Sequence, residues 1–319
     1  QIGATLGSAL QHIFPMSFEQ RKILVAAGAS AGIAATFNAP LGGVLFAVEL
    51  LMVRVHIRAL FMVISSTVVS TYVGRFLLGI DPALFLPALR IPAFRVSDPW
   101  VLSAFVPLGI VIGLAAIFFI RTLYAIEDQF DRLKNPYLRH MLGMFLVASL
   151  FVSMHYIYGD YYIEGIGYAT IMDVLQGGIL PNASFLILLF LLKTLATSMT
   201  IGSGGSGGIF SPSLFLGAVL GGGCGLWMSL WLPVSPVSCA IAGMAAMVAG
   251  TTGGVLMAVV MVLEMTQHYS AILPCMLCAG TAAWVRQLGL ADSIYTLKLQ
   301  RRGVSIPIEL RKVSPQPEK

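Results

Sequence analysis

Charge is what this sequence is short of. Asp, Glu, Lys and Arg make up 10% of its 319 residues, where soluble domains carry about 25%. From residue 194 to residue 263 no side chain is charged, a run of 70 residues. One spanning helix needs only about 20 apolar residues, so the run must hold several membrane segments or re-entrant pieces. Apolar and polar residues do not alternate at period two, which argues against a transmembrane barrel. Cysteine is scarce, and Cys224, Cys239, Cys275 and Cys278 all lie in apolar stretches. Cys275 and Cys278 have the spacing of a redox pair, but without a βαβ pattern around them they read as small buried hydrophobes. The glycine-rich segment lacks the Gly-Lys-Ser/Thr of a nucleotide loop. The chain also lacks HExxH, clustered metal ligands and a nucleophile–base pair, and its five histidines are scattered. An enzyme is therefore not expected, nor a metal or an organic cofactor. No initiator Met and no leader with a basic start are present, and the chain is expected to be missing its natural N-terminus.

What fills the space is hydrophobic: 57% of residues, with a mean hydropathy of +0.87. The expected class is an all-α integral membrane protein. Apolar stretches predict helices at 1–14, 20–36, 40–53, 58–78, 99–122, 137–157, 184–199, 209–230, 236–249, 254–266 and 270–288. Several are too short to span alone, and glycine and proline interrupt many of them. Transporters with discontinuous helices have this texture. Basic residues cluster in three places, Arg54/Arg58, Arg121/Arg132/Lys134/Arg139 and Lys298/Arg301/Arg302/Arg311/Lys312. Positive-inside bias puts these on the cytoplasmic side and residues 79–98 outside, with Arg90 and Arg95 weakening the asymmetry. As solvated loop residues they need no ligand role. The net charge of +5 suits a cytoplasmic membrane face and requires no nucleic acid partner.

An internal repeat is legible. Ile2-Gly3-Ala4-x-Leu6-Gly7 matches Leu216-Gly217-Ala218-x-Leu220-Gly221, 214 positions on, and Leu41-x-Gly43-Val44 with Glu49 matches Leu256-x-Ala258-Val259 with Glu264, 215 positions on. Two matches in one order at nearly one offset imply related halves around a site near the bilayer midplane. The expected organisation is a first repeat at 1–135, a second at 136–303 and a cytoplasmic tail at 304–319. The offset places the start of the first half roughly 80 residues before Gln1. Whether the halves are parallel or inverted does not follow from the offset.

Gly202-Ser203-Gly204-Gly205-Ser206-Gly207-Gly208 precedes an apolar helix beginning near Ile209 or Phe210. Each glycine disfavours helix by about 1 kcal/mol against alanine. The helix start beyond it leaves amides unpaired and carries about half a positive charge. Buried in a membrane, such a start can hold an anion without a full cation, loosely enough to release it. A closely packed glycine loop would share this composition, so both readings stay open at this point.

Here the chain becomes specific. Gly208-Ile209-Phe210-Ser211-Pro212 resembles the GIFxP signature of CLC chloride channels and transporters. Phe37-Asn38-Ala39-Pro40-Leu41-Gly42-Gly43-Val44-Leu45-Phe46-Ala47-Val48-Glu49, Val262-Leu263-Glu264-Met265-Thr266 and Ser293-Ile294-Tyr295-Thr296-Leu297 are similar to three more of its signatures, in the family's order. The resemblance implies broken and tilted helices in an inverted repeat, a homodimer with one pore per subunit, and residence in the plasma (inner) membrane. It implies a bound chloride held by the amides of Ile209 and Phe210 and by the Tyr295 hydroxyl, with Gly208 and Ser211 beside them. Taken alone, Tyr295 reads equally as an interfacial aromatic. Glu49 and Glu264 are proton-pathway candidates as intramembrane acids, with a structural role as the alternative. Proton-coupled members place a second glutamate after the Glu49 position; Leu50 stands there, which favours a channel over an exchanger. The family's external glutamate and its anion-contacting serine would both fall before Gln1. Lys193, alone in an apolar run, either raises the anion-attracting potential or has a structural role. The expected function is movement of chloride-like anions; a chloride/proton antiporter and a non-conducting scaffold are the alternatives.

Overall fold

A computed structural model describes residues 1–52, 55–78, 99–178 and 182–304. Arg54, residues 79–98 with Arg90 and Arg95, Arg311, Lys312 and nearly all of the proposed tail lie outside the described residues. The order is α1 (Ile2–Ala9), α2 (Phe18–Phe37), α3 (Pro40–Phe46), α4 (Ile57–Leu78), α5 (Pro99–Ser103), α6 (Phe105–Asp131) and α7 (Pro136–Tyr158). Then come α8 (Tyr168–Gln176), α9 (Ala183–Gly202), α10 (Phe210–Met228), α11 (Pro236–Thr252), α12 (Val255–Thr266), α13 (Ile272–Gly289) and α14 (Ile294–Arg301). No strand occurs among the described residues. Among them, six helical stretches are long and apolar enough to cross a bilayer, including Trp100–Asp131, Pro136–Tyr158 and Phe210–Met228. The chain is a multi-pass integral membrane protein.

Sequence periodicity missed two helices. Nine-residue α8 lies between Gly167 and Gly177, both left-handed, and is too short to show a pattern. Eight-residue α14 is polar on average, so hydropathy passes over it.

The core is built around α11, whose residues from Ser238 to Thr252 are all buried. Its Ala-Gly-Met-Ala-Ala-Met-Val-Ala-Gly run is narrow, which lets α10, α6 and α13 close on it. Contact at that range depends on van der Waals fit, since lipid tails are as apolar as the helices. Where α10 crosses α11, a Cβ added to Gly217 would lie 2.3 Å from the Gly243 carbonyl oxygen. Where α1 crosses α2, a Cβ added to Gly3 would lie 2.0 Å from the Gly28 carbonyl oxygen. The sequence offset carries Gly3 to Gly217, and one residue more carries Gly28 to Gly243. The same contact has been built twice.

The halves are inverted. Glu49 lies in a widened π-type turn, Ala47–Leu51, that extends α3. Its Oε1 accepts from the Leu256 amide at 3.2 Å and its Oε2 from the Met257 amide at 2.7 Å, in the first turn of α12. At the end of α12, Glu264 reciprocates: Oε1 accepts from Leu41 at 3.1 Å and Oε2 from Gly42 at 2.7 Å, in the first turn of α3. Each helix's C-terminal end meets the other's N-terminus, so the pair is antiparallel. Neither α3 nor α12 has a side-chain cap of its own. A carboxylate on the opposite half supplies it, where charge and helix dipole favour each other.

A candidate anion site at a helix start

α9 ends at Gly202, and the chain turns through Gly204 at φ +86°, a conformation that needs glycine. The Gly205 amide donates back to the Thr200 carbonyl at 2.9 Å, closing the turn. α10 begins at Phe210, with Ile209 as its N-cap. The first helical bond runs from the Ser213 amide to the Ile209 carbonyl, at 3.1 Å. Pro212 has no amide hydrogen. The amides of Ile209, Phe210 and Ser211 therefore find no acceptor among the described residues. These are the orphan donors of a helix N-terminus, and Ser211 supplies no cap.

α14 brings the second component. Ser293 starts it with a capping box: its hydroxyl accepts from the Thr296 amide at 3.4 Å, and its own amide donates to Thr296 Oγ1 at 2.8 Å. Tyr295 lies between these two and is fixed in the first turn. The helix is pinned to α6 at three points. The Tyr124 hydroxyl donates to the Ile294 carbonyl, Lys298 pairs with Glu127 at 2.8 Å, and Arg301 pairs with Asp128 at 2.7 Å. The Tyr295 hydroxyl has no hydrogen-bond partner among the described residues.

One cavity of about 1720 Å³ gathers these groups: Gly208, Ile209, Phe210, Ser211 and Tyr295 all line it. Its opposite wall comes from α1, α2 and α4. Sequence reasoning did not foresee Phe37, at the end of α2, whose ring centroid lies 4.9 Å from that of Phe210. Asn38, left-handed at φ 52°, ends α2 there. Asn is one of the few residues besides glycine that tolerates this C-terminal position, so the signal was present in the Phe37-Asn38 pair.

Lys193 is elsewhere. Its ammonium donates to the Ile163 carbonyl at 2.9 Å and the Gly165 carbonyl at 2.7 Å, and lies 5.1 Å from the Phe215 ring centroid. It does not line this cavity, and its contacts support the structural of its two sequence readings: it ties the loop before α8 to α9. Glu49 and Glu264 are likewise committed to helix caps. Leu50 packs against the core.

Two of the three basic regions placed on one side by sequence meet in space: the C-terminal end of α6 and α14 share two ion pairs, and Arg139 pairs with Asp131.

A family model described as "Voltage gated chloride channel" matches residues 1–287. The chain is 32% identical over 303 residues to a putative chloride channel protein ClcB-like from Ralstonia nicotianae, covering 94% of this chain and 68% of that protein. It is 32% identical over 314 residues to an H(+)/Cl(-) exchange transporter ClcA from Vibrio parahaemolyticus, covering 94% of this chain and 64% of that one. Among solved structures it is similar to a slow cyanobacterial Cl-/H+ antiporter, with a TM-score of 0.82 and 30% identity, over 95% of this chain and 70% of that chain. The chain thus spans about two thirds of the length of these relatives. Matched over nine-tenths of its length, with inverted halves and an uncapped start of α10, the chain belongs to the voltage gated chloride channel (CLC) family.

Proposed function

We propose that the protein moves chloride-like anions across the bilayer, binding one at the start of α10. The observation that carries this is the convergence of unpaired amides at Ile209 and Phe210 with an unpaired Tyr295 hydroxyl on one cavity. Dipoles and one neutral hydroxyl hold an anion weakly enough for it to leave. The ion sits between halves 1–135 and 136–303, and Gly208 gives it room beside bare backbone: a Cβ there would touch nothing within 4 Å. No cofactor takes part; the bound species is the anion itself. The protein acts in the plasma membrane as a homodimer, each subunit with its own path.

Leu50 favours channel-like conduction. An apolar side chain packed on the core cannot carry a proton from the cytoplasm. The carboxylates of Glu49 and Glu264 each accept two amides, and a proton route through either would have to break a helix cap. Exchange is the second reading, supported by the printed names of the ClcA relatives and the cyanobacterial antiporter. Purified protein in liposomes distinguishes them. Selective chloride efflux without proton uptake supports the channel, and proton uptake driven by a chloride gradient supports exchange. A wild-type protein that passes no anion sinks both and leaves a scaffold.

A further inference from the structure

Residues 290–292 join α13 to α14. Arg286, in the last turn of α13, holds two of them: its Nη1 donates to the Leu290 carbonyl at 3.1 Å and to the Ala291 carbonyl at 3.1 Å. Arg286 is buried, with 3% of its surface exposed, and the last linker residue, Asp292, lies within electrostatic reach of it. The other end of the guanidinium faces α11. A Cβ added to Gly253, which ends α11 at φ +86°, would lie 3.3 Å from Arg286 Nη2 and 3.7 Å from the Cβ of Ser293. That helix end is electronegative, and the planar guanidinium fork serves it and the linker at once. α10 leans on the same end of α11. The Ser213 hydroxyl lies 3.2 Å from Thr251 Oγ1 and donates to the Ile209 carbonyl at 2.8 Å. Both components of the anion site thus hang on one helix end, and Arg286 is the link on the Tyr295 side.

We propose that Arg286 is a positioning residue for anion binding: by fixing the linker against the end of α11, it sets the Tyr295 hydroxyl where it meets the same ion as the Ile209 and Phe210 amides. The inference rests on the binding reading above. Arg286 does not line the cavity, so it does not touch the anion. Its effect passes through Ser293, the N-cap of α14, two residues before Tyr295. The simpler role for this side chain is to tie off the end of α13. A buried charge is an expensive device for that alone. Such a role would lower stability and leave the affinity of the folded protein unchanged.

The test is a double-mutant cycle on chloride Kd, read by calorimetry on the purified protein: wild type, Arg286→Met, Tyr295→Phe and the double variant. Tyr295→Phe should weaken binding roughly five-fold, the worth of one neutral hydrogen bond. Arg286→Met displaces that hydroxyl and can lose no more than it contributes, so a loss of about three- to five-fold is expected. In the Tyr295→Phe background the same substitution should change Kd by less than about 1.5-fold, because the group it positions is gone. Arg286→Gln, which keeps one donor group and no charge, carries the same cycle where Arg286→Met yields no folded protein. A folded Arg286 variant with wild-type Kd overturns this inference alone, and so does an equal loss in both backgrounds. An unchanged Kd in Tyr295→Phe, or no chloride binding in the wild type, overturns the reading of the site and this inference with it.

Discussion

The reciprocal caps make the sharpest prediction. Glu49 and Glu264 each receive two amides at 2.7–3.2 Å, and neither α3 nor α12 has another cap. Glu264→Ala removes both acceptors from Leu41 and Gly42. Losing an N-cap destabilises by about 0.5–2 kcal/mol, and a buried donor left unpaired costs about 1–3 kcal/mol. Since Gly42 is buried, although Leu41 is exposed, a loss of ~2–3 kcal/mol is expected. Glu264→Gln keeps one carbonyl but turns an amide group toward a backbone donor, so ~1–2 kcal/mol is expected. The same values apply to Glu49. Because each carboxylate is carried by the helix that the other one caps, loosening one helix misplaces the second carboxylate. The double variant Glu49→Ala/Glu264→Ala should therefore lose less than the sum of the single losses, by ~1 kcal/mol. Reversible unfolding in mixed micelles gives all five values. Single losses under ~0.5 kcal/mol, typical of unremarkable surface sites, would refute the capping account, and strict additivity would refute the coupling. A Glu49→Gln protein of wild-type stability that selectively loses proton movement would instead make that carboxylate a proton carrier.

Further tests address the site and the packing. Tyr295→Phe removes one neutral hydroxyl and should weaken chloride binding by about 1 kcal/mol, roughly five-fold in calorimetric Kd; an unchanged Kd means that Tyr295 is not a ligand. Phe210→Pro should also weaken binding, because its missing amide hydrogen removes a donor and a proline there disfavours the right-handed backbone of Ile209 before it. Phe37→Leu controls for the lost ring contact and should leave Kd within about two-fold, under ~0.5 kcal/mol. Gly217→Ala and Gly3→Ala should each destabilise by ~1–3 kcal/mol through overpacking, measured by unfolding, with Gly208→Ala, where space is open, as the tolerated comparison. Lys193→Met should destabilise by at least ~2 kcal/mol, because it leaves the Ile163 and Gly165 carbonyls unpaired. Normal stability would mean water takes the place of the ammonium.

Much of this was legible before any coordinates. The charge-free run gave the membrane class, and the glycine run before Phe210 gave the helix start, because composition and backbone freedom are local properties. The repeat offset carried Gly3 to its equivalent Gly217, but not to Gly28 and Gly243, the glycines that these two cross. It did not carry orientation: an offset has no direction, and only the reciprocal bonds of Glu49 and Glu264 show that the halves are inverted. Their capping roles were also out of reach, since each partner is more than 200 positions away. α14 was missed because its segment is polar, although its Ser293-x-x-Thr296 start was readable. Lys193 was conspicuous as a cation in an apolar run, with a functional and a structural reading both open; its carbonyl partners come from a loop about 30 positions earlier, at a distance set by tertiary folding.

The short helices bear on how the protein is made. At 1.5 Å per residue, the 17 residues of α11 reach about 25 Å and the 12 of α12 about 18 Å, less than the ~30 Å of hydrocarbon. Neither can cross alone without leaving backbone groups bare in lipid. The insertion machinery must therefore release them together with their longer neighbours. α12, synthesised some 200 residues after Glu49, finds its cap waiting on the earlier half, and α3 has to wait through that synthesis for Glu264. Biogenesis then has one late step on which both short helices depend, the docking of the two halves.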